Sequence, residues 1–350
     1  MDLERLRTAY RLQAGGCRWL GSALYADLMD LAREDVEAGG PLLRLVEDWP
    51  GDPLVGFLPL RVFGAVHARV LDGDAPELAR HYPSAGGVAD ARAAWPAFRD
   101  FVEAQLESLK PRLRAFPQTN EVRRCGGLLG GFLTAARATG LPLRLREIGC
   151  SAGLNLQWHR FRYELGPHRW GAPGSPARIE AAWSGPPAAF EVSPRVESRA
   201  GCDLDPRRVD RDEEVRVLEG YVWPDQPERL VQLRAAVRVW REDPPRVDAV
   251  PAAEWLPAEL AADTRGSCLV VFHSCVWMYL SEAERAGLRA ALERRGERAT
   301  ANDPLAWLRA EDEPDRPGQI EVRLTLWPGG RERRLARGHP HGRSVEWLAE

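Results

Sequence analysis

The segment Leu143–Phe161, with the sequence LRLREIGCSAGLNLQWHRF, constrains the fold more than any other part of this chain. LRLREIG predicts a short β-strand, and SAGLNLQWHRF predicts the start of a helix after a glycine-rich turn. A strand that turns directly into a helix is the opening unit of an α/β fold. The segment therefore predicts a parallel sheet beginning near residue 143.

The rest of the chain agrees with an α/β fold that follows a helical region. Apolar residues recur at helical spacing before residue 117, which predicts an N-terminal helical domain over 1–116 and an α/β domain over 117–350. Pro328-Gly329-Gly330 predicts a turn between two extended runs, and hence a terminal antiparallel β-hairpin. The Gly-, Pro- and Ser-rich stretch at about 165–195 predicts an inserted loop. Strands are predicted for RVESRAGCD, CLVVFHS, PLAWLRAE and IEVRLTLW, and helices for PERLVQLRAAVRVW and SEAERAGLRAALERR.

Several helix ends can be predicted from single residues. Ser22 is placed to cap the helix that follows it, and Gly140 to end the helix of NEVRRCGGLLGGFLTAARATG. Ser281 and Glu284 have the spacing of a capping box. Asp225 is predicted to cap the helix of PERLVQLRAAVRVW.

Composition excludes several classes of function. The formal net charge of −3 gives no general attraction to nucleic acid or to anionic membranes, so we expect a small-molecule ligand or substrate. Lys110 is the single lysine, which excludes a P-loop lysine. The six cysteines have no C-x-x-C spacing, the N-terminus resembles no leader, and no apolar run is long enough to span a membrane. These features predict a cytoplasmic location, and they make no prediction of the oligomeric state.

The glycine-rich turn allows two interpretations. In the first, backbone amides approach a polar ligand, and Glu147 at the end of the strand binds its hydroxyl or amino groups, together with Gly149, Gly153 and Asn155. In the second, Gly149–Gly153 is the G-x-S-x-G elbow of a serine hydrolase with Ser151 as nucleophile. Asp303 and His339 follow Ser151 in the order that this alternative requires, but too few strands precede the elbow.

Other polar residues are expected near the same edge of the sheet. His273 ends a predicted central strand, where open α/β sheets bind ligands, and it is a candidate general base or orienting group. Asn120 and Glu121 precede the helix that leads into the first strand and are candidate ligand-binding residues, although Thr119 or Asn120 could equally be an ordinary helix cap. His339 and His341 could reach a metal ion with His273 or Glu311, but the H-x-H spacing is weak evidence and no metal site is predicted.

Two resemblances give the site a chemical interpretation. LREIGCSAGLN resembles the first motif of class I S-adenosylmethionine-dependent methyltransferases, with Ser151 in place of the middle glycine, and LVVFHSCVWMYLSEAERAGL resembles their fourth strand and the following helix. Over nearly the whole chain, the sequence also resembles the bacterial domain-of-unknown-function family numbered 2332. The segments that carry this second resemblance are QTNEVRRC, EIGCSAGLNL, GCDLDP, VWPDQPERL, VVFHSCVWMYL and HPHG.

The methyltransferase resemblance implies a Rossmann-like sheet and roles for individual residues. Glu147 would face the methionine part of S-adenosylmethionine, and Asp203, with Asp205 as its rival, would hold the ribose hydroxyls. Pro251 occupies the place of the acidic residue that commonly faces adenine. Ser151 is expected to have a negative φ, because a Cβ penalises positive values.

The resemblance therefore implies an enzyme of the methyltransferase type that acts on a small molecule. Glu147, Gly149, Ser151, Gly153, Asn155, Asp203, Asn120 and Glu121 would bind S-adenosylmethionine, and His273 would serve catalysis. A non-catalytic ligand-binding or regulatory module on the same fold is the alternative, and a serine hydrolase that uses Ser151 is a further one.

Overall fold

The computed structural model describes residues 1–313, 316 and 318–349, and it contains helices and one large mixed β-sheet, which confirms the α/β class. Over these residues the α-helices are α1 (Leu3–Trp19), α2 (Ala23–Glu37), α3 (Pro41–Val46), α4 (Leu58–Asp72), α5 (Pro76–Ala79), α6 (Ala91–Ala104), α7 (Leu106–Leu109), α8 (Cys125–Thr139), α9 (Asp212–Gly220), α10 (Pro227–Glu242), α11 (Ala252–Ala261) and α12 (Glu282–Glu297). The strands are β1 (Leu143–Ile148), β2 (Arg162–Leu165), β3 (His168–Gly171), β4 (Arg178–Ser184), β5 (Val196–Asp203), β6 (Arg246–Ala249), β7 (Cys268–Ser274), β8 (Leu305–Asp312), β9 (Ile320–Trp327), β10 (Arg331–Gly338) and β11 (Ser344–Trp347).

The chain divides into two compact units. The first contains Met1–Thr119 and Asp210–Val231, and the second contains Asn120–Val209 and Gln232–Glu350, so that one division falls within α10. Sequence reasoning assigned the segment 210–231 to the later domain, whereas in the structure it clusters with the first unit. The reason is packing across α4, since a Cβ on Gly64 would lie 2.5 Å from the ring of Tyr221.

The first unit is built around apolar residues of its helices. Tyr25 and Phe63 are fully buried and meet edge to face with ring centroids 5.0 Å apart. Asp225, predicted to cap α10, instead accepts hydrogen bonds from the Ser22 hydroxyl at 2.6 Å and from the Leu24 amide at 3.0 Å, which fixes the start of α2. The cap predicted for Ser22 is confirmed, because its side chain accepts from the Tyr25 amide.

The sheet of the second unit has the order β3-β2-β4-β11-β10-β9-β8-β7-β1-β5-β6. Strands β6, β5, β1, β7 and β8 are parallel neighbours, and β9, β10 and β11 continue the sheet in antiparallel fashion. The order along the chain reverses direction between β1 and β7. The carboxyl ends of the parallel strands share one edge, so residues that follow them are brought together.

Glycines let α8 approach one face of this sheet. A Cβ on Gly130 would lie 2.3 Å from the ring of Trp347, and one on Gly131 would lie 2.3 Å from Leu308. Positions three and four apart lie on the same side of a helix, and the glycines of α8 lie on the side that contacts the sheet. Helix α8 ends at Gly140 in the left-handed conformation, as predicted.

The region 165–195 differs from its predicted loop, because β3 and β4 lie within it. Strand β4 pairs with β2 on one side and with β11 on the other. Gly and Pro flank these short strands, so their sequence favoured a loop; β4 is stabilised by pairing with the distant strand β11, and β3 by a local hairpin with β2. Leu154–Arg160, predicted as the start of a helix, is a 3₁₀ turn.

Candidate functional site

The glycine-rich turn follows β1 at the shared carboxyl edge. Gly149 has φ +64° and Gly153 has φ +74°, values that suit glycine. A Cβ on Gly149 would come within 2.6 Å of the Val276 side chain, so the turn packs directly against the segment after β7. The Cys150 amide donates to the Cys202 carbonyl at 3.0 Å, which ties the turn to β5.

Ser151 corrects one prediction. Its φ is +53°, not negative, and its amide donates to Asp203 Oδ2 at 2.8 Å. The hydrogen bond to this carboxylate orients the backbone of the turn in a conformation that a Cβ normally disfavours by about 1–2 kcal/mol. Ser151 and Asp203, both predicted site residues, are therefore in direct contact.

Glu147 lies beside this turn, and its residue is buried, with an exposed fraction of 2%. Burial raises the pKa of Glu147 well above its ordinary value. The hydrogen bond with the Asn155 side chain lowers this pKa, the negative charge of Asp203 raises it, and the positive charge of Arg124 lowers it. Its Oε2 atom is buried, and no described residue forms a hydrogen bond with that atom. An unpaired buried carboxyl oxygen is costly, so a ligand that donates a hydrogen bond to it would relieve that cost.

Asn120 and Glu121 also lie at the turn, and both have structural contacts. Asn120 has φ +37°, and its Oδ1 accepts from the amides of Ala152 at 3.2 Å and Leu154 at 3.5 Å. Glu121 accepts from the Arg123 amide and caps the 3₁₀ turn Val122–Arg124. Asn120 thus holds the turn from outside the sheet.

Asp203 ends β5 and binds backbone on both sides of the site. Besides the Ser151 amide, it accepts from the Asp205 amide through Oδ1 at 3.0 Å. Leu204, the next residue, is 78% exposed and offers an apolar surface beside it.

His273 is fully buried, and both of its ring nitrogens are engaged. Trp307 Nε1 donates to its Nε2 at 3.1 Å, so Nδ1 carries the proton and donates to Glu311 at 2.5 Å. A general base needs a free nitrogen, and this arrangement offers none. The orienting role that was predicted as the alternative fits these contacts.

Glu311 was missed as an organising residue. At the end of β8, its carboxylate accepts from His273 and from the amides of Val276 at 3.1 Å and Trp277 at 3.1 Å. Because Val276 packs on Gly149, the pair formed by His273 and Glu311 sets the segment against which the glycine turn rests. An acidic residue at the end of a predicted parallel strand was the available signal.

Strained backbone is concentrated at this edge. In residues 1–313, 316 and 318–349, the non-glycine residues with positive φ are Phe57, Asn120, Ser151 and Cys275. Three of these four lie at the turn or directly after β7. Such conformations persist where surrounding contacts hold the backbone in place, and they cluster at active sites and ligand-binding segments.

The serine hydrolase partners are not assembled around Ser151. Asp303 precedes β8 and is bound to Thr264 and to Arg295, at 2.5 Å and 2.6 Å. Since β8 and β1 are both parallel to β7, Asp303 lies at the opposite edge of the sheet from Ser151. His339 accepts from the His341 amide at 3.0 Å through Nδ1. A catalytic triad of Ser151, Asp303 and His339 is therefore excluded by this arrangement.

No metal-binding cluster and no membrane-spanning helix occurs in residues 1–313, 316 and 318–349. Within them, no group of three or more His, Cys, Asp or Glu side chains is arranged to hold a metal ion. Within the same part of the chain, no helix has the length and apolar character needed to cross a bilayer.

Comparison with known proteins assigns a family. No curated protein matches the chain. The family model described as "Uncharacterized protein conserved in bacteria (DUF2332)" matches residues 7–347, nearly the whole sequence. The chain belongs to this bacterial family.

Proposed function

We propose that the protein binds S-adenosylmethionine at the carboxyl edge of β1 and β5 and methylates a small molecule. The single observation that carries the proposal is the buried Oε2 of Glu147, which has no hydrogen-bond partner among the described residues. An ammonium group supplies the donor that such an oxygen lacks. S-adenosylmethionine carries an ammonium group, and so does its product S-adenosylhomocysteine.

The sheet supports the proposal. The parallel strands β6, β5, β1, β7 and β8 have the chain order third, second, first, fourth and fifth, which is the order of a Rossmann-like sheet. Ligands of such sheets bind where the strand order reverses, here between β1 and β7. Glu147, the glycine turn and Val276 all lie there.

The chain's residues would share the work of binding. Glu147 would hold the ammonium group, Gly149 and Gly153 would let the backbone approach the ligand, and Asp203 would accept from the ribose hydroxyls. Leu204 offers an apolar surface for the base. Four further residues would fix the shape of the turn and the position of Glu147: Asn120, Glu121, Ser151 and Asn155.

Chemistry at this site requires mainly alignment. The bound cofactor would supply an activated methyl group, and transfer depends on holding donor and acceptor in line. His273 would act as a positioning residue, since through Glu311 it holds the Val276 and Trp277 amides.

The methyltransferase resemblance implies a third acidic residue, which would face adenine, and this chain does not have it at the expected position. Asp248, at the end of β6, accepts from the Trp255 indole at 2.7 Å and pairs with Arg246 at 3.1 Å. Pro251, where the acidic residue is expected, lies directly before α11. These contacts, and the occupied nitrogens of His273, favour a ligand-binding module without catalysis as the second candidate function.

Calorimetric titration with S-adenosylmethionine and S-adenosylhomocysteine tests the binding part. We expect micromolar binding to wild type and its loss in Glu147→Ala and Asp203→Ala. Asp263→Ala is the matched control, because this exposed carboxylate pairs with Arg265 away from the site. Absence of binding to wild type, or equal binding to all four proteins, would contradict the proposal. Binding without methyl transfer to any small-molecule pool would favour the second candidate.

A further inference from the structure

The residue directly before α8 is an arginine that is held at the carboxyl edge of the sheet. Arg124 Nε donates to the Pro340 carbonyl at 2.9 Å, and its Nη1 donates to the Ser274 carbonyl at 3.4 Å. Ser274 ends β7, and Pro340 lies in the segment between β10 and β11. These two carbonyls therefore fix the guanidinium group at the carboxyl end of β7.

The positive charge of Arg124 has no carboxylate partner at ion-pair distance. Within residues 1–313, 316 and 318–349, no carboxylate oxygen lies within 4.0 Å of its guanidinium nitrogens, and Glu121 and Glu311 act on its charge from farther away. Its Nη2 has no hydrogen-bond acceptor in the same part of the chain. A guanidinium group has five N–H donors, and the two carbonyls do not use all of them.

A chain of side-chain contacts joins the start of α8 to Glu147. Cys125, the residue after Arg124, donates through Sγ to Asn155 Oδ1 at 3.4 Å. The Asn155 side chain is in turn hydrogen-bonded to Glu147. The positive charge of Arg124 is near enough to lower the pKa of Glu147.

The register of the sheet also brings the two residues together. Glu147 on β1 pairs with Phe272 on β7, and Ser274, which holds Arg124, lies two residues farther along. Two residues of a strand span about 7 Å, and neighbouring strands lie about 5 Å apart. Both charged groups are therefore placed at the point where the strand order reverses.

The two side chains lack opposite kinds of partner. Glu147 Oε2 is buried and has no hydrogen-bond donor among the described residues, and Arg124 Nη2 has no acceptor among them. They do not satisfy each other, because no ion pair joins them. A ligand that carries an ammonium group and a carboxylate on the same carbon atom would supply both missing partners.

We propose that Arg124 and Glu147 together bind the α-amino acid head group of the ligand, with its carboxylate on Arg124 and its ammonium group on Glu147. The inference rests on the proposed function and adds a second charged contact to it. Hydrogen bonds between a guanidinium group and a carboxylate are about twice as strong as those between neutral groups. The site should therefore select ligands that carry a free α-carboxylate.

Calorimetric titration with two ligands tests the carboxylate contact. The first ligand is S-adenosylhomocysteine, and the second is decarboxylated S-adenosylhomocysteine, which keeps the ammonium group. We expect wild type to bind the first ligand about 10-fold or more tightly, because the second leaves the guanidinium group without its acceptor. Arg124→Gln should weaken binding of the first ligand about 10-fold or more and leave binding of the second nearly unchanged.

Two further variants separate the roles of the charged groups. Glu147→Gln should weaken binding of both ligands alike, because both carry the ammonium group, and it should keep the preference for the carboxylate. Arg294→Gln is the matched control, since it removes the same charge as Arg124→Gln from an exposed position on α12. It should bind both ligands like wild type.

The wild-type comparison does not depend on the folding of any variant. Equal affinity of wild type for the two ligands would overturn the carboxylate contact, and so would an equal loss of both ligands in Arg124→Gln. The same loss of S-adenosylhomocysteine binding in Arg294→Gln would also overturn it. If wild type binds neither ligand, the proposed function is wrong, and this inference is wrong with it.

Discussion

Replacing Glu147 with glutamine is expected to make the protein more stable than wild type at pH 7 and above. Burial raises the pKa of Glu147 from an ordinary value of 4.5. A carboxyl with a raised pKa stabilises the folded state most when protonated, so its contribution is complete below pH 4.5 and is lost as the pH rises toward the folded-state pKa. Glutamine stays neutral throughout.

Between pH 4.5 and the pKa of Glu147 in the folded protein, the free energy of unfolding of wild type should fall relative to that of the variant. The difference should grow by about 1.4 kcal/mol per pH unit. Urea titrations between about pH 4.5 and 8 measure it. Glu197→Gln is a control with the opposite sign, because hydrogen bonds from Ser267 and Arg144 lower the pKa of Glu197. That variant should be less stable than wild type at neutral pH, and the deficit should shrink as the pH falls. A pH-independent difference for Glu147→Gln would contradict the buried, neutral carboxyl.

Gly149→Ala should cost the protein about 2–5 kcal/mol of stability. About 1–2 kcal/mol comes from a Cβ in the left-handed region, and about 1–3 kcal/mol comes from overpacking. The new Cβ would meet the two methyl groups of Val276 at 2.6 Å and 2.7 Å. Chemical denaturation of the variant measures the loss.

Gly140→Ala separates the two causes. Gly140 has φ +67° but open space where its Cβ would lie, so its substitution should cost only the conformational part. In a double-mutant cycle, Val276→Ala should recover the remaining part of the Gly149→Ala loss. Equal losses at Gly149 and Gly140 would mean that the turn does not rest on the segment after β7.

Strong local patterns were sufficient to predict several elements. The apolar run CLVVFHS forms β7 with the predicted bounds, and Ser281 and Glu284 form the predicted capping box. These signals are local, since a buried strand and a helix cap are each encoded within a few residues. Strand β4 was missed because it pairs with β11, far away in the sequence, whereas β3 is a four-residue strand that forms a local hairpin with β2.

The site was predictable as a set of residues but not as a set of contacts. Glu147 and Asp203 lie near the carboxyl ends of neighbouring strands, which a strand order can predict. The φ of Ser151, the hold of Asn120 on the turn and the pairing of His273 with Glu311 depend on long-range contacts.

Proton release on binding S-adenosylhomocysteine tests the central role of Glu147 most directly. Calorimetry in two buffers with different ionisation enthalpies measures it. We expect wild type at pH 7 to release protons to the buffer, because Glu147 must ionise to pair with the ligand's ammonium group. Glu147→Gln should bind much more weakly and without that release. The same affinity and proton release in both proteins, or no binding to wild type, would contradict the account.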